Sequence, residues 1–181
     1  MHSVEKVFQE FCKGDSRLTT VKNITDQKLF EVVTHLGIKN QNLTVVLEEV
    51  LINAQEHGDG HPSLHYKVDG NLLVLVISDS GVGIHQKIPE NLRLSDTRGK
   101  SSSSIIRLSL EEGITGTGTV GRGMGLYYLS RFASENQASI FVASDQGAVI
   151  QVSSQFYERR LTDDLGCTLV ILETTLKDAG I

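Results

Sequence analysis

This 181-residue sequence is poor in cysteine, has no surplus of basic charge and contains no long apolar run. The two cysteines, Cys12 and Cys167, lie far apart, so neither a disulfide framework nor a zinc-type spacing can be built from them. Asp and Glu number 22 against 17 Lys and Arg, a net charge of -5. That balance argues against non-specific binding of nucleic acid, because no basic excess exists to displace counterions. No stretch approaches the roughly 20 apolar residues of a membrane span. Met1 to Lys13 does not read as a signal peptide, since Glu5, Lys6, Gln9 and Glu10 interrupt its apolar residues. The expectation is a soluble, cytoplasmic protein without membrane contact. With 39% hydrophobic residues a normal core is available, and the length suits one domain over 1–181.

Glycine, in contrast, is plentiful, with 17 residues, six of which cluster from Gly113 to Gly125, where backbone must bend or approach a ligand closely. Val4, Val7, Phe8 and Phe11 recur at helical spacing. Arg17 to Val21 can form a strand, and Asp26 to Leu36 reads as a helix stopped by Gly37. Residues 1–40 form an N-terminal extension of helix and strand. The next helix, capped by Asn42 or Thr44, runs to about His57 with a broad apolar stripe from Leu43 to Ala54. Ser63 to Val68 and Leu72 to Ser78 flank Asp69-Gly70-Asn71, a hairpin signal. Val74 to Ile77 is apolar on both faces, as in a central strand. From His85 to Val120 the pattern weakens to a long connection, with a helix from Ile105 to Glu112 and Ser101 to Ser104 as a polar linker. Connections of that length act as lids or are disordered. Met124 to Ser134 is helical. Ala138 to Ser144 and Ala148 to Phe156 make a second hairpin, and Thr168 to Leu172 a last strand. Antiparallel hairpins with helices between them predict an α+β fold, a two-layer sandwich with helices on one face of a mixed, mainly antiparallel sheet.

Three short stretches bear on chemistry. Glu49 and Asn53 stand four apart on one helix, so both side chains point the same way. An amide oxygen is a hard, neutral ligand suited to Mg2+, and a neighbouring carboxylate can polarise a water or hydroxyl for attack on a γ-phosphate. A solvated helix edge would carry the same residues. Asp79 ends a buried strand and needs a donor, such as the exocyclic amine of adenine. Gly81 and Gly83 let the chain turn under a planar base, although a strand-end turn capped by Asp reads the same way. Gly121, Gly123 and Gly125 lead into a helix, where backbone amides suit a polyphosphate and Arg122 could donate to it or sit in solvent. A merely flexible glycine loop is the competing reading.

In order and spacing these stretches resemble the GHKL ATPase superfamily, which includes gyrase, the heat-shock chaperone ATPase, histidine kinases and mismatch-repair ATPases. The resemblance spans Leu43 to Leu172. It matches Asn53 to the metal-binding Asn of the N box, and Asp79, Gly81 and Gly83 to the first glycine box. Gly121, Gly123 and Gly125 match the second box, and Thr168 a late threonine near the base. It implies the Bergerat fold, ATP and Mg2+ as cofactors, Glu49 as general base and residues 85–120 as an ATP lid. Ile84, Arg122, Met124 and Leu126 would belong to the nucleotide pocket with both boxes. Asn53-Ala54 followed by His57-Gly58 looks like the corresponding stretch of anti-sigma factor serine kinases, although the 85–120 connection is longer than theirs.

The implied activity is ATP-dependent phosphorylation of a partner's Ser or Thr, or slow ATP hydrolysis driving a partner switch. The alternatives are a non-catalytic ATP-gated switch and a histidine-kinase-like subunit acting in trans. An anti-sigma-antagonist-like protein or a transcription regulator would be the partner, and a homodimer is compatible with either. Other motifs lack their context. Gly116 to Gly121 spells a dinucleotide fingerprint without its preceding strand. Gly99-Lys100-Ser101 lacks the upstream P-loop glycine, where Leu94 stands. His57, His61 and His65 are spaced by four, but Gly58, Gly60 and Pro62 break the helix that would align them.

Overall fold

The computed structural model describes residues 2–14, 17–57, 61–81, 83–84, 97, 99–114 and 124–181. In chain order the elements are α1 (Ser3–Cys12), β1 (Thr19–Val21), α2 (Asp26–Leu36), α3 (Gln41–His57), β2 (Ser63–Asp69) and β3 (Leu72–Asp79). They continue with α4 (Ser102–Ser109), α5 (Gly125–Glu135), β4 (Ser139–Ser144), β5 (Gly147–Val152), β6 (Gln155–Arg160), β7 (Thr168–Thr175) and α6 (Leu176–Ala179). The strands form one seven-stranded sheet in the order β1-β2-β3-β7-β4-β5-β6. Every described pairing is antiparallel.

Strand alternation divides the core into two layers. Leu73, Leu75 and Ile77 of β3, Val170 and Leu172 of β7, and Ile140 and Val142 of β4 face the stripe of α3 from Leu43 to Ala54. Leu129, Phe132 and Ala133 of α5 join the same layer, as do Ile105 and Ile106 of α4. This is the α+β sandwich that the hairpin pattern predicts. The intervening residues, Val74, Val76, Phe141, Ala143, Leu169 and Ile171, point to the other face. There α1 covers them with Val4 and Val7, and Phe8 stacks on Phe141 with ring centroids 4.6 Å apart. Such a ring pair adds about 0.5–1.5 kcal/mol beyond the area it buries. The N-terminal helix therefore seals the back of the sheet, an addition to the two expected layers.

Local chemistry sets the limits of the elements. Thr25 caps α2 by accepting from the Lys28 N–H, and Gly37 closes it in a left-handed conformation at φ 73°. The cap of α3 is Asn40, not Asn42 or Thr44. Its Oδ1 accepts from the N–H groups of Asn42 (2.9 Å) and Leu43 (3.3 Å). Asn40 also donates through Nδ2 to the Asp178 carbonyl at 2.6 Å, tying the start of α3 to α6.

Two other expectations change. The serines at 101–104 are the start of a helix rather than a linker: Ser101 caps α4, and Ser103 and Ser104 each donate to Glu158 Oε2 at 2.9 Å. Helix α4 thus packs on β5 and β6 inside the 85–120 range expected to be a lid, and its Ile105 and Ile106 are fully buried. The rest of that range, apart from residues 97 and 99–114, lies outside the described residues. The single strand expected over 148–156 is two, β5 and β6, reversed at Ser153, whose φ is 53°.

Asn40→Ala removes the α3 cap and the bond to α6 together. We expect it to lower unfolding free energy by about 1–2 kcal/mol. A urea titration would show this as a lower midpoint at unchanged slope.

Candidate functional site

The long helix α3 packs on β3 and α5 and presents Glu49 and Asn53, both half-buried, on its α5 side. Close approach of the two helices there depends on Gly125, the first residue of α5. A Cβ built on it would lie 2.7 Å from Asn53 Nδ2 and 2.8 Å from the Glu49 carbonyl oxygen. The start of α5 therefore rests directly against the Glu49–Asn53 turn of α3. Met124 and Leu126 flank the contact and are half-buried. Gly121, Arg122 and Gly123 lie outside the described residues.

At the sheet end, β3 and β7 bring Asp79 and Thr168 into direct register. Residues paired across antiparallel strands share a face, so both point to the helical layer, as Ile77 and Val170 do two positions earlier and later. The Asp79 carboxylate accepts from the Gly81 N–H at 2.8 Å through Oδ1, closing an Asx turn after the strand. Gly83 follows in the left-handed region at φ 84°. Ile84 is buried in the α3–sheet core.

The turn between β4 and β5 supports this segment, a role with no local sequence signal. Ser144 Oγ accepts from the Ile84 N–H at 3.0 Å and donates to Asp145 Oδ2 at 3.3 Å. A Cβ on Gly83 would fall 2.8 Å from Ser144 Oγ and 3.0 Å from the Asp145 carboxylate oxygens. In the sequence Asp145-Gln146-Gly147 is no more than the turn of the second hairpin, about sixty residues from its partner in the first glycine box.

Cys167 precedes Thr168. Burial pushes its thiol up to about 11, and the negative charge of Asp79 adds to the effect. The thiol stays protonated at neutral pH, so it brings no charge to the Asp79 end of the site and is a poor nucleophile there.

The arrangement combines an acceptor at a strand end, two glycines (Gly81 and Gly83) beside it, and a carboxylate–amide pair against a helix start. A flat, donor-bearing ring fits the first two features and an anionic chain the third. Gly125→Ala tests how tightly the parts are joined. The added methyl meets the Glu49 backbone of α3 as well as the Asn53 side chain, and the backbone cannot swing aside, so overpacking of about 1–3 kcal/mol is expected. Calorimetric melting would register the loss as a lower Tm.

No curated protein matches the chain. Residues 38–158 match the family model described as histidine kinase-, DNA gyrase B-, and HSP90-like ATPase. That stretch holds Glu49, Asn53, Asp79 and both glycine boxes and stops short of β7 with Thr168. It covers well over half of the chain, and the fold, an antiparallel sheet under a helical layer, agrees with it. The chain belongs to the family of histidine kinase-, DNA gyrase B- and HSP90-like ATPases and is an ATP-binding domain of that family.

Proposed function

We propose that this domain is a Mg2+-dependent signalling ATPase or protein-serine/threonine kinase acting on a partner protein, of the kind found among anti-sigma factor kinases. The observation that carries the reading is the placement of Glu49 and Asn53 on one turn of α3, against the glycine that starts α5. Asn53 supplies a neutral oxygen ligand, and Glu49 a carboxylate one turn away. Among the described residues no group of three His, Cys, Asp or Glu forms a metal cage. A hard cation with one protein ligand and the rest from phosphates and water suits this donor set. Asn53 would hold Mg2+ there, and the ion would supply positive charge that offsets the charge building up during transfer.

The chain's own groups then divide the work. Asp79 accepts from the exocyclic amine of adenine, and Thr168, its register partner, adds a hydroxyl at the base edge. The turn at Gly81 and Gly83 lets the ring lie close to backbone. Amides at the start of α5 face the phosphates, with Gly121, Arg122 and Gly123 leading into it. Glu49 takes the proton from the attacking oxygen, a partner's Ser or Thr hydroxyl or a water. Within the range 85–120, which the family resemblance reads as an ATP lid, α4 is held on β5 and β6. An anti-sigma-antagonist-like protein or a transcription regulator is the partner class, and the setting is cytoplasmic. Among the described residues no helix is long and apolar enough to cross a membrane.

Single-turnover assays on Glu49→Ala and Asn53→Ala separate the roles. Glu49→Ala should keep ATP affinity within a few-fold and lose about 10²–10⁴-fold in phosphate release or transfer. Asn53→Ala should lose the Mg2+ dependence of binding. Wild-type protein that binds ATP and a partner but never turns over would instead make the domain an ATP-gated binding module. An acid-labile phosphohistidine on the partner would make it a kinase subunit acting in trans.

A further inference from the structure

Two walls of the base end converge on one turn. Asp79, Thr168 and Ser144 form a single cross-strand row, with Asp79 opposite Thr168 on β3 and β7, and Thr168 opposite Ser144 on β7 and β4. Asp79 and Thr168 are the groups assigned to the base. Ser144, beside Thr168 in that row, is fully buried, out of reach of solvent. Its hydroxyl is committed on both sides, accepting from the Ile84 N–H and donating to Asp145. Asp145 in turn accepts through its backbone carbonyl from the Leu165 N–H at 3.0 Å, which ties down the loop that leads to Thr168. The neighbouring Gln146 carbonyl accepts from Leu161 N–H at 2.9 Å in the same loop.

We infer that Ser144 is a positioning residue for the base end of the site, holding Gly83 and Ile84 in the one conformation in which a planar base can lie against them. The inference rests on the ATP reading above. Its physical basis is a contact that leaves no slack. Gly83 sits so close to Ser144 and Asp145 that no side chain fits between them, and its φ of 84° is one that other residues rarely adopt. A buried backbone N–H such as that of Ile84 must find an acceptor, and Ser144 Oγ is the one it has. Without that hydroxyl the N–H seeks water, and the segment from Gly81 to Ile84 leaves its binding-competent form for part of the time. Apparent affinity then falls by the fraction of time lost, by the same factor for every ligand that uses the base end.

This signature separates positioning from general stability. In Ser144→Ala, ATP, ADP and adenosine should all bind about ten-fold more weakly, with the ratios among them unchanged. Hydrogen exchange on the unliganded proteins gives a second readout that does not depend on nucleotide. The Ile84 amide should be protected in wild type and should exchange at least ten-fold faster in Ser144→Ala, while amides in β3 and β7 keep their rates. Unchanged affinities in the folded variant would overturn the inference. So would a fall in Tm with no selective change at Ile84, or an unprotected Ile84 amide in wild type. If wild type bound none of the three ligands, the ATP reading would fail, and with it the base-end role of Ser144; exchange at Ile84 would still report whether Ser144 holds the glycine turn.

Discussion

Insertion of β7 between β3 and β4 is the constraint on which the site depends. The last strand of the chain is hydrogen-bonded on both sides, and its register places Thr168 between Asp79 and Ser144. The hydrophobic pattern fixes that register. Leu169 and Ile171 must face α1 while Val170 and Leu172 face α3, and a slip by one residue would reverse all four. With the register set, Thr168 can only face the helical layer. The Asp79–Thr168 end of the site is thus a product of core packing some distance from it. The Glu49–Asn53 end has a separate origin, in the approach of α5 to α3 that a missing side chain at Gly125 allows.

The two ends are supported differently. Around Asp79 two contacts run from backbone to side chain, Gly81 N–H to Asp79 and Ile84 N–H to Ser144, and a third runs from the Leu165 N–H to the Asp145 backbone carbonyl. Such bonds fix a turn without adding charge. Cys167 keeps its proton because burial and the Asp79 carboxylate both disfavour the thiolate. Around Glu49 and Asn53 the support is a helix with a buried stripe from Leu43 to Ala54, anchored at its start by Asn40.

Much of this was legible in the sequence where the signals are local. Helix α2 announces its end with Gly37, and the Asp69–Asn71 turn marks the first hairpin. Glu49 and Asn53 are four apart, so helical geometry alone puts them together. Signals that were weak or shared gave different results. Ser153 and Ser154 lack the glycine expected at a two-residue turn, so β5 and β6 read as one strand. The run Ser101 to Ser104 has the composition of a linker and also of a helix cap, and only Glu158, more than fifty residues on, selects the helix. The pairing of Thr168 with Asp79 and the support from Ser144 are long-range facts of sheet order, which no local pattern carries.

The central claim is that Asp79 recognises adenine at the end of β3. Calorimetric titration with ATP in the presence of Mg2+, with GTP as control, tests it most directly on wild type and Asp79→Asn. The account predicts ATP binding in wild type, absence of GTP binding, and a loss of affinity of at least ten-fold in the variant. Equal binding of ATP and GTP, or an Asp79→Asn variant that binds ATP as wild type does, would contradict it.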